Sequence, residues 1–185
     1  MQGSMGAQRL RIPDSVSPAH RASLSHTFNQ RRGKGTKMRD DFKAAMREWR
    51  TGMCLVTSLD AEGRPIGLIC NSFASLSLAP PLISWAVDHG SSSIAGWRAA
   101  GSYALHVLPP IPEPLNHPLV AAFARRGGDK FAGLRFAHNA NGDPVFPELP
   151  TRFDCVLHQR IEIGDHDLMV GRPTAITHPA QKRES

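Results

Sequence analysis

The sequence predicts a mainly β fold, a small antiparallel barrel with a few peripheral helices. Short apolar or alternating runs typical of strands dominate the chain, and turn residues join several of them into hairpins. Helical spacing occurs only in short, scattered segments, whereas an alternating parallel sheet would need regular helices between its strands. The 185 residues, of which 41% are hydrophobic and 21% charged, suffice for one ordinary hydrophobic core.

The first half of the chain begins with one helix and continues into most of the predicted strands. Apolar residues recur at helical spacing from Phe42 to Trp49, and either Asp40 or Asp41 is expected to cap this helix. A second short helix is expected to end at Gly101. The predicted strands of this half cover residues 53–59, 66–77, 82–87 and 103–108, with a turn at 60–63.

The second half is interrupted by proline and glycine. Residues 109–118 are expected to form a loop, and a short helix follows at 119–125. Residues 132–150 are expected to form a long surface connection. Strands at 153–163 and 166–170, separated by Gly164 and Asp165, predict a final hairpin.

The positive charge of the chain is concentrated at its N-terminus. The net charge is +6, yet the first 39 residues carry eight Lys or Arg side chains against the single acid Asp14, which leaves the remainder slightly acidic. Residues 1–39 are therefore interpreted as a basic, disordered extension, with an organelle transit peptide or a nucleic-acid-binding arm as alternatives. The folded domain is expected at 40–173, followed by a polar tail at 174–185.

The location and the partners of the protein are constrained by what the sequence lacks. It contains no run of the ~20 apolar residues that a membrane helix needs, and no apolar run of a secretory signal at its start. We therefore expect a soluble, cytoplasmic protein without a membrane partner. The slightly acidic folded part, with one tyrosine and no aromatic and basic platform, argues against nucleic-acid binding.

Several reaction classes lose support because their motifs are missing. No G-x-G-x-x-G follows a strand, and no G-x-S-x-G provides a nucleophile elbow. Nine dispersed histidines and three cysteines without a C-x-x-C pair predict no metal site. Cys54, Cys70 and Cys155 are instead expected to be small buried hydrophobes.

Two groups of residues suggest an anion site. Ser91, Ser92 and Ser93 precede a helix, where hydroxyls and free backbone N–H groups can bind a phosphate. Arg125 and Lys130, with Arg126 between them, lie on a glycine-rich loop and can close over the same anion. The alternative interpretations are a helix cap for the serines and solvated loop charges for the cations.

Two further sets of residues suggest a ligand site. One set suits a flat ring, and the other offers a polar contact to the ligand. Cys70, Asn71, Ser72 and Ser75 place small and polar side chains on an otherwise apolar strand, which lets a ring approach the backbone. Alternation on a half-exposed strand explains the same pattern. His166, at a hairpin tip, can hydrogen-bond a ligand, although a solvated histidine is the simpler interpretation.

These groups occur in an order that resembles the flavin reductase-like family. The motifs are TGMCLVT at 51–57, NSFASLSLAPPL at 71–82, SSS at 91–93, FA with DKFAG within 123–133, and GDHDL ahead of GR within 164–172. The resemblance spans about residues 40–172 and implies an FMN-binding split β-barrel of antiparallel, Greek-key type. It also implies a homodimer that transfers hydride from NADH or NADPH to FMN or FAD and can supply a partner monooxygenase.

The resemblance also implies roles for individual residues. Ser91, Ser92, Ser93, Arg125 and Lys130 would hold the flavin phosphate or ribityl chain, and His166 would be the catalytic residue facing the nicotinamide. The flavin ring and its surroundings would be contacted by Thr51, Gly52, Cys70, Asn71, Ser72, Ser75 and Phe131. Hydride transfer needs two oriented cofactors and no metal or side-chain nucleophile, which agrees with the motifs that the chain lacks.

The chain departs from the family pattern at three places. His106 begins a His-Val-Leu segment where Asn-Val-Leu is common. Ile69 and Ala74 stand where a threonine and a hydroxyl or thiol are common, and the chain after Pro173 lacks the expected final strand. These departures motivate a second hypothesis, a flavin-binding electron-transfer protein without reductase turnover. A third hypothesis is a nucleic-acid binder that acts through the basic N-terminal extension.

Overall fold

The computed structural model describes residues 38, 40–42, 44–46, 52–110 and 116–179, and the chain divides into two compact units, Met1–Arg50 and Thr51–Ser185. In the first unit, every described residue between 38 and 46 is helical, as the apolar spacing predicts. Met38 is already helical, so the prediction that Asp40 or Asp41 caps this helix is wrong. Trp49 and the proline-rich residues 111–115 lie outside the described residues.

The second unit is built mainly of strands. Its described residues form two short helices, α1 (Ile94–Ala99) and α2 (Pro118–Ala124). The strands are β1 (Cys54–Leu59), β2 (Pro65–Cys70), β3 (Ala74–Leu78), β4 (Pro81–Asp88), β5 (Ser102–Val107), β6 (Ala137–His138), β7 (Pro144–Val145), β8 (Thr151–Ile163) and β9 (His166–Thr177). None of the helices in the described part of the chain is long and apolar enough to cross a membrane.

Seven of the strands form one antiparallel sheet in the order β2-β1-β5-β8-β9-β4-β3. The outermost strands, β2 and β3, do not pair with each other, so the sheet remains open. The mainly antiparallel fold with peripheral helices is confirmed, and the open sheet agrees with a split barrel.

Strand β1 lies between two hydrophobic cores because its side chains alternate between the two faces of the sheet. Val56 packs in a core with Trp85, whose ring centroid is 4.9 Å from that of Trp97. Leu55 packs in a second core around Phe123. The three cysteines are free and buried, as predicted.

The predicted strand at 66–77 is interrupted in the structure. β2 pairs with β1 at one edge of the sheet, whereas β3 pairs with β4 at the other edge. The polar residues Asn71 and Ser72 lie at the crossing, and the Ser72 hydroxyl accepts a hydrogen bond of 2.9 Å from the Ala86 N–H of β4. The Ser72 side chain thus takes the place of a backbone hydrogen bond where the chain passes from β2, which pairs with β1, to β3, which pairs with β4.

The prediction that residues 132–150 form a surface connection is wrong. β6 and β7 pair into a small ribbon, and Val145, Phe146 and Leu149 are buried against the second core. The Phe146 N–H donates to Nε2 of the buried His106, which fixes the ribbon to β5. The sequence did not reveal this segment because its glycines and prolines are typical of a loop and its apolar residues are irregularly spaced.

The last hairpin is confirmed, and its second strand is longer than predicted. β9 continues to Thr177, which pairs with Arg152 of β8. The Thr174 hydroxyl donates to the Asp154 carbonyl oxygen at 3.0 Å. Residues 174–177, which the sequence assigned to a polar tail, therefore belong to the sheet.

Candidate functional site

A cavity of about 430 Å³ opens where the broken strand, the end of β4 and the start of β9 meet α2 and the loop after it. Its volume lies within the ~300–1,000 Å³ usual for small-molecule and cofactor sites. The lining residues are 68–72, 86–88, 90–92, 123–126, 130 and 166. The site thus collects segments that are far apart in the sequence.

One wall of the cavity is apolar with a polar rim. Leu68, Ile69 and Cys70 come from β2, and Asn71 and Ser72 follow where the strand breaks. Burial raises the pKa of the Cys70 thiol to about 11, so this side chain stays uncharged at neutral pH. Such a wall can contact a flat ring while the rim offers hydrogen bonds.

A second part of the cavity lining, the cationic wall, is formed by Lys130, Arg125 and Arg126. Lys130 is half-buried, and its Nζ donates to the carbonyl oxygens of Phe123 at 3.1 Å and Gly67 at 3.3 Å. Burial, and next the charge of Arg125, lower the pKa of this ammonium group. Among the residues that the structure describes, no carboxylate lies within ion-pair distance of Lys130. A partly desolvated cation without an acidic partner favours the binding of an anion.

Two arginines extend the cationic wall. Arg125 and Arg126 line the cavity, and Nη2 of Arg125 donates to the Asp129 carbonyl oxygen at 2.6 Å. Asp88 is the one acid among the lining residues. The lining therefore carries a net positive charge, which suits a phosphate group.

The serine segment before α1 lines the cavity, and some of its backbone N–H groups are already used in local hydrogen bonds. The Ser91 N–H donates to the Asp88 carbonyl and the Ile94 N–H to the Ser91 carbonyl, so both are used within the turn. The Ser93 hydroxyl accepts from Trp97 Nε1 at 3.1 Å. The N–H groups of Ser91 and Ile94 are therefore already used within the protein, and Ser91 and Ser92 line the cavity.

A second, smaller cavity of about 230 Å³ adjoins the first. It is lined by residues 65–67, 92–93 and 127–131, and it shares Ser92 and Lys130 with the larger cavity. Ser93 lies here rather than in the first cavity.

His166 lies at the edge of the large cavity, at the start of β9. Its Nδ1 is 2.8 Å from Oδ1 of Asp165, and this hydrogen bond is the main reason for the lowered pKa of the Asp165 carboxyl. The His89 N–H donates to the Asp165 carbonyl oxygen at 2.9 Å. The hairpin tip that carries His166 is thus fixed to the end of β4.

A buried carboxylate, that of Asp167, follows directly after His166, and the sequence analysis did not predict it. Asp167 is fully buried and lies 2.7 Å from Nε of Arg98, 2.9 Å from Nε2 of His89 and 3.1 Å from Nη1 of Arg160. The Arg98 hydrogen bond, above all, holds the pKa of this carboxyl well below its usual range. The sequence does carry one signal for Asp167. It is a charged residue at a strand position that the alternation of buried and exposed side chains assigns to the core.

The structure brings together most of the predicted site residues. Cys70, Asn71, Ser72, Ser91, Ser92, Arg125, Lys130 and His166 all line the large cavity. Phe131 packs mainly in the second core, 4.9 Å between ring centroids from Phe123, and borders only the small cavity. Ser75 lies on the exposed edge strand β3, and neither Ser75 nor Gly52 lines a cavity described here. Thr51 lies outside the described residues.

Comparison with known proteins identifies related chains. Residues 46–185 match the family model described as the flavin reductase like domain. The stachydrine N-demethylase reductase subunit of Rhizobium meliloti is 37% identical over 125 residues, which are 68% of this chain and 53% of that protein. The FMN reductase (NADH) of Agrobacterium fabrum is 35% identical over 137 residues, which are 74% of this chain and 75% of that protein.

A solved structure is similar over most of its length. The nitrilotriacetate monooxygenase component B homologue from Mycobacterium thermoresistibile superposes with a TM-score of 0.69 at 28% identity and covers 80% of this chain and 81% of that one. The chain spans about half the length of some curated relatives, namely 53% of the demethylase subunit and 42% of another Rhizobium meliloti protein.

Proposed function

The chain belongs to the flavin reductase like domain family, and we propose that it is an NAD(P)H-dependent flavin reductase, which transfers hydride from NADH or NADPH to FMN or FAD. The observation that carries the proposal is the large cavity, which joins an apolar wall with a cationic wall that lacks an acidic partner among the described residues. The name of the Agrobacterium relative, an NADH-dependent FMN reductase, supports the choice of both cofactors.

The residues present suit a phosphorylated flavin. Lys130 and Arg125 would hold the phosphate by charge-assisted hydrogen bonds, with hydroxyl donors from Ser91 and Ser92. Cys70 and Asn71 would lie along the ring, where the uncharged thiol and the small polar rim permit close approach. The apolar and cationic walls would thus complement the ring and the phosphate of the flavin.

His166 would contact the nicotinamide side, where its Nδ1 bond to Asp165 fixes the imidazole orientation. A bound flavin supplies the hydride acceptor, and the reduced nicotinamide supplies the donor. The task of the protein is then to bind, orient and shield the reacting groups. Asp167 acts as a positioning residue, because its contacts with His89 and Arg98 hold the hairpin tip.

The proposal extends to the assembly and to the acceptor of the reduced flavin. We propose a homodimer that supplies a partner monooxygenase, supported by the similarity to a monooxygenase component. We also propose that the protein is cytoplasmic.

The second candidate is a flavin-binding electron-transfer protein without reductase turnover. The observation that favours it is Ile69, an apolar residue on the cavity wall where the family commonly has threonine. Such a protein would bind flavin and leave NADH unoxidised.

The test is anaerobic oxidation of NADH and of NADPH by the purified protein with added FMN or FAD. We expect turnover with at least one pair of cofactors. Flavin binding without oxidation of either nicotinamide would favour the electron-transfer protein, and no flavin binding would refute both candidates.

A cationic side chain provides the first residue-level test. Lys130→Met should weaken flavin binding by about 10- to 100-fold, which corresponds to the ~1.5–3 kcal/mol of a hydrogen bond to a charged group. The measurement is a titration that follows flavin fluorescence. Arg135→Met, an exposed residue that lines neither cavity, is the matched control and should leave the affinity unchanged. Equal affinities in the two variants would remove Lys130 from the site.

A further inference from the structure

Strand β2 carries a glycine where it meets α2. Gly67 is buried and pairs with Thr57 of β1. It is not among the glycines with positive φ, so its backbone conformation does not require glycine. A glycine inside a strand weakens the strand and often marks the close approach of another group. Position 67 therefore depends on the space beside the strand.

The ring of Phe123 fills that space. A Cβ at position 67 would lie 2.5 Å from Cε1 and 2.8 Å from Cδ1 of Phe123, well inside the ~3.5–4.0 Å of ordinary carbon contacts. The ring cannot turn aside freely, because it is buried and packs edge-on against Phe131 and Phe146, with centroid distances of 4.9 Å and 5.8 Å. A side chain at position 67 would therefore move α2 away from β2.

The same contact fixes the place of Lys130. Its Nζ donates to the carbonyl oxygen of Phe123, near the end of α2, and to the carbonyl oxygen of Gly67 on β2. The separation of α2 and β2 therefore decides whether the ammonium group reaches both carbonyls at once. An ammonium group has three N–H donors, so these two bonds leave one donor for an anion in the large cavity.

We propose that Gly67 is a positioning residue for the anion site. The missing side chain lets Phe123 pack against β2, and the carbonyl oxygens of Gly67 and Phe123 then hold the Lys130 ammonium group at the cavity wall. Gly67 does not line the large cavity, so its effect on a ligand there is transmitted by Lys130. This inference rests on the proposed function, because it takes the flavin phosphate to bind at Lys130.

The test separates the phosphate of the flavin from its ring. Dissociation constants for FMN and for riboflavin, which lacks the phosphate, are measured with the full chain by fluorescence titration. Gly67→Ala should weaken FMN binding about tenfold, as expected for a weakened hydrogen bond to a charged group, and leave riboflavin binding within about twofold. Retained riboflavin binding also shows that the variant is folded.

Gly171→Ala is the matched control for overpacking, because its added methyl group meets Tyr103 in the core around Trp85. Its ratio of FMN to riboflavin affinity should equal that of the unmodified protein. An equal loss for FMN and riboflavin in Gly67→Ala would overturn the inference, and so would an unchanged FMN affinity.

A double variant tests whether Gly67 acts through Lys130. Gly67→Ala and Lys130→Met affect the same interaction, so their combination should bind FMN no more weakly than Lys130→Met alone. Additive losses would overturn the inference.

Should Gly67→Ala not fold, Phe123→Leu tests the same packing from the side of α2, because it removes ring atoms without adding a clash. Its ratio of FMN to riboflavin affinity should fall about threefold or more, since part of the packing is lost. An unchanged ratio would overturn the inference. Equal affinities of the unmodified protein for FMN and riboflavin would also overturn it and leave the reductase function standing, whereas failure of the proposed function means that neither flavin binds.

Discussion

At the scale of single residues, His106 shows how one buried polar side chain joins three segments. The Phe146 N–H donates to its Nε2, so the neutral ring carries its proton on Nδ1, which donates to the Leu55 carbonyl oxygen at 3.3 Å. Burial, the largest influence, lowers the pKa of His106 from 6.5 to about 4. Protonation would require Nε2 to give up the hydrogen bond that fixes the β6–β7 ribbon.

His106 should contribute to the stability of the folded protein in a pH-dependent way. Since its pKa is lower in the folded state, the unfolded chain binds more protons between pH 6.5 and 4, and stability falls as the pH falls through this window. His106→Leu should be less stable than the unmodified protein at pH 7.5, because Phe146 loses its acceptor. The difference should shrink by up to about 3 kcal/mol toward pH 4.

The measurement is urea denaturation of both proteins from pH 7.5 to 4. The other histidines are common to the two proteins, so their contributions cancel in the difference. A difference in unfolding free energy that stays constant with pH would contradict a neutral, buried His106.

At the scale of elements, close packing between strands decides where glycine is required. Gly171 of β9 faces Tyr103 of β5, and a Cβ at position 171 would lie 2.6 Å from the Tyr103 Cζ and also against its hydroxyl. Tyr103 is buried in the core with Trp85, so its ring cannot move aside freely. The glycine thus permits the close approach of β9 to the first core.

Gly171→Ala should therefore destabilise the second unit by about 1–3 kcal/mol, the usual cost of overpacking a core. Gly101→Ala is the matched control, because nothing lies within 4 Å of a Cβ at that position. The double variant Gly171→Ala with Tyr103→Phe should recover part of the loss, because it removes the hydroxyl from the overlap. Thermal or urea unfolding of the four proteins measures these effects, and equal stability of the two alanine variants would disprove the packing argument.

The elements also show what the sequence can and cannot predict. Strands such as β1 and β4 are predictable because their apolar residues are contiguous and bounded by turns. The break between β2 and β3 is not, because the signal of a strand continues through Phe73 and Ala74 while the hydrogen-bonding partner changes. The local sequence pattern indicates which residues are buried and whether they form a strand. It does not indicate with which distant strand they pair.

At the scale of the whole molecule, the candidate site arises from long-range convergence. Its lining comes from segments around Cys70, Ser91, Lys130 and His166. Residue chemistry identifies each segment as a candidate, but only the order of motifs that resembles a known family predicts that they meet. The buried Asp167 was missed because a single sequence does not reveal which arginines reach a strand residue from other elements.

The position of the candidate site predicts that flavin binding stabilises the second unit. The cavity is bounded by β2 near one edge of the sheet and by β4 and β9 near the other, and it is completed by α2 and its following loop. A ligand that contacts all of these segments binds the folded state alone. At 100 times its dissociation constant it should stabilise that state by about 2.7 kcal/mol.

For a chain of this size, such stabilisation corresponds to a rise in Tm of roughly 5–10 °C. We expect this rise with saturating flavin in a thermal denaturation experiment followed by circular dichroism. Lys130→Met should need a correspondingly higher flavin concentration for the same rise, whereas Arg135→Met should behave as the unmodified protein. A Tm that does not change while flavin binds would mean that flavin binds the folded and the unfolded chain equally well, which would contradict a site that only the folded second unit forms.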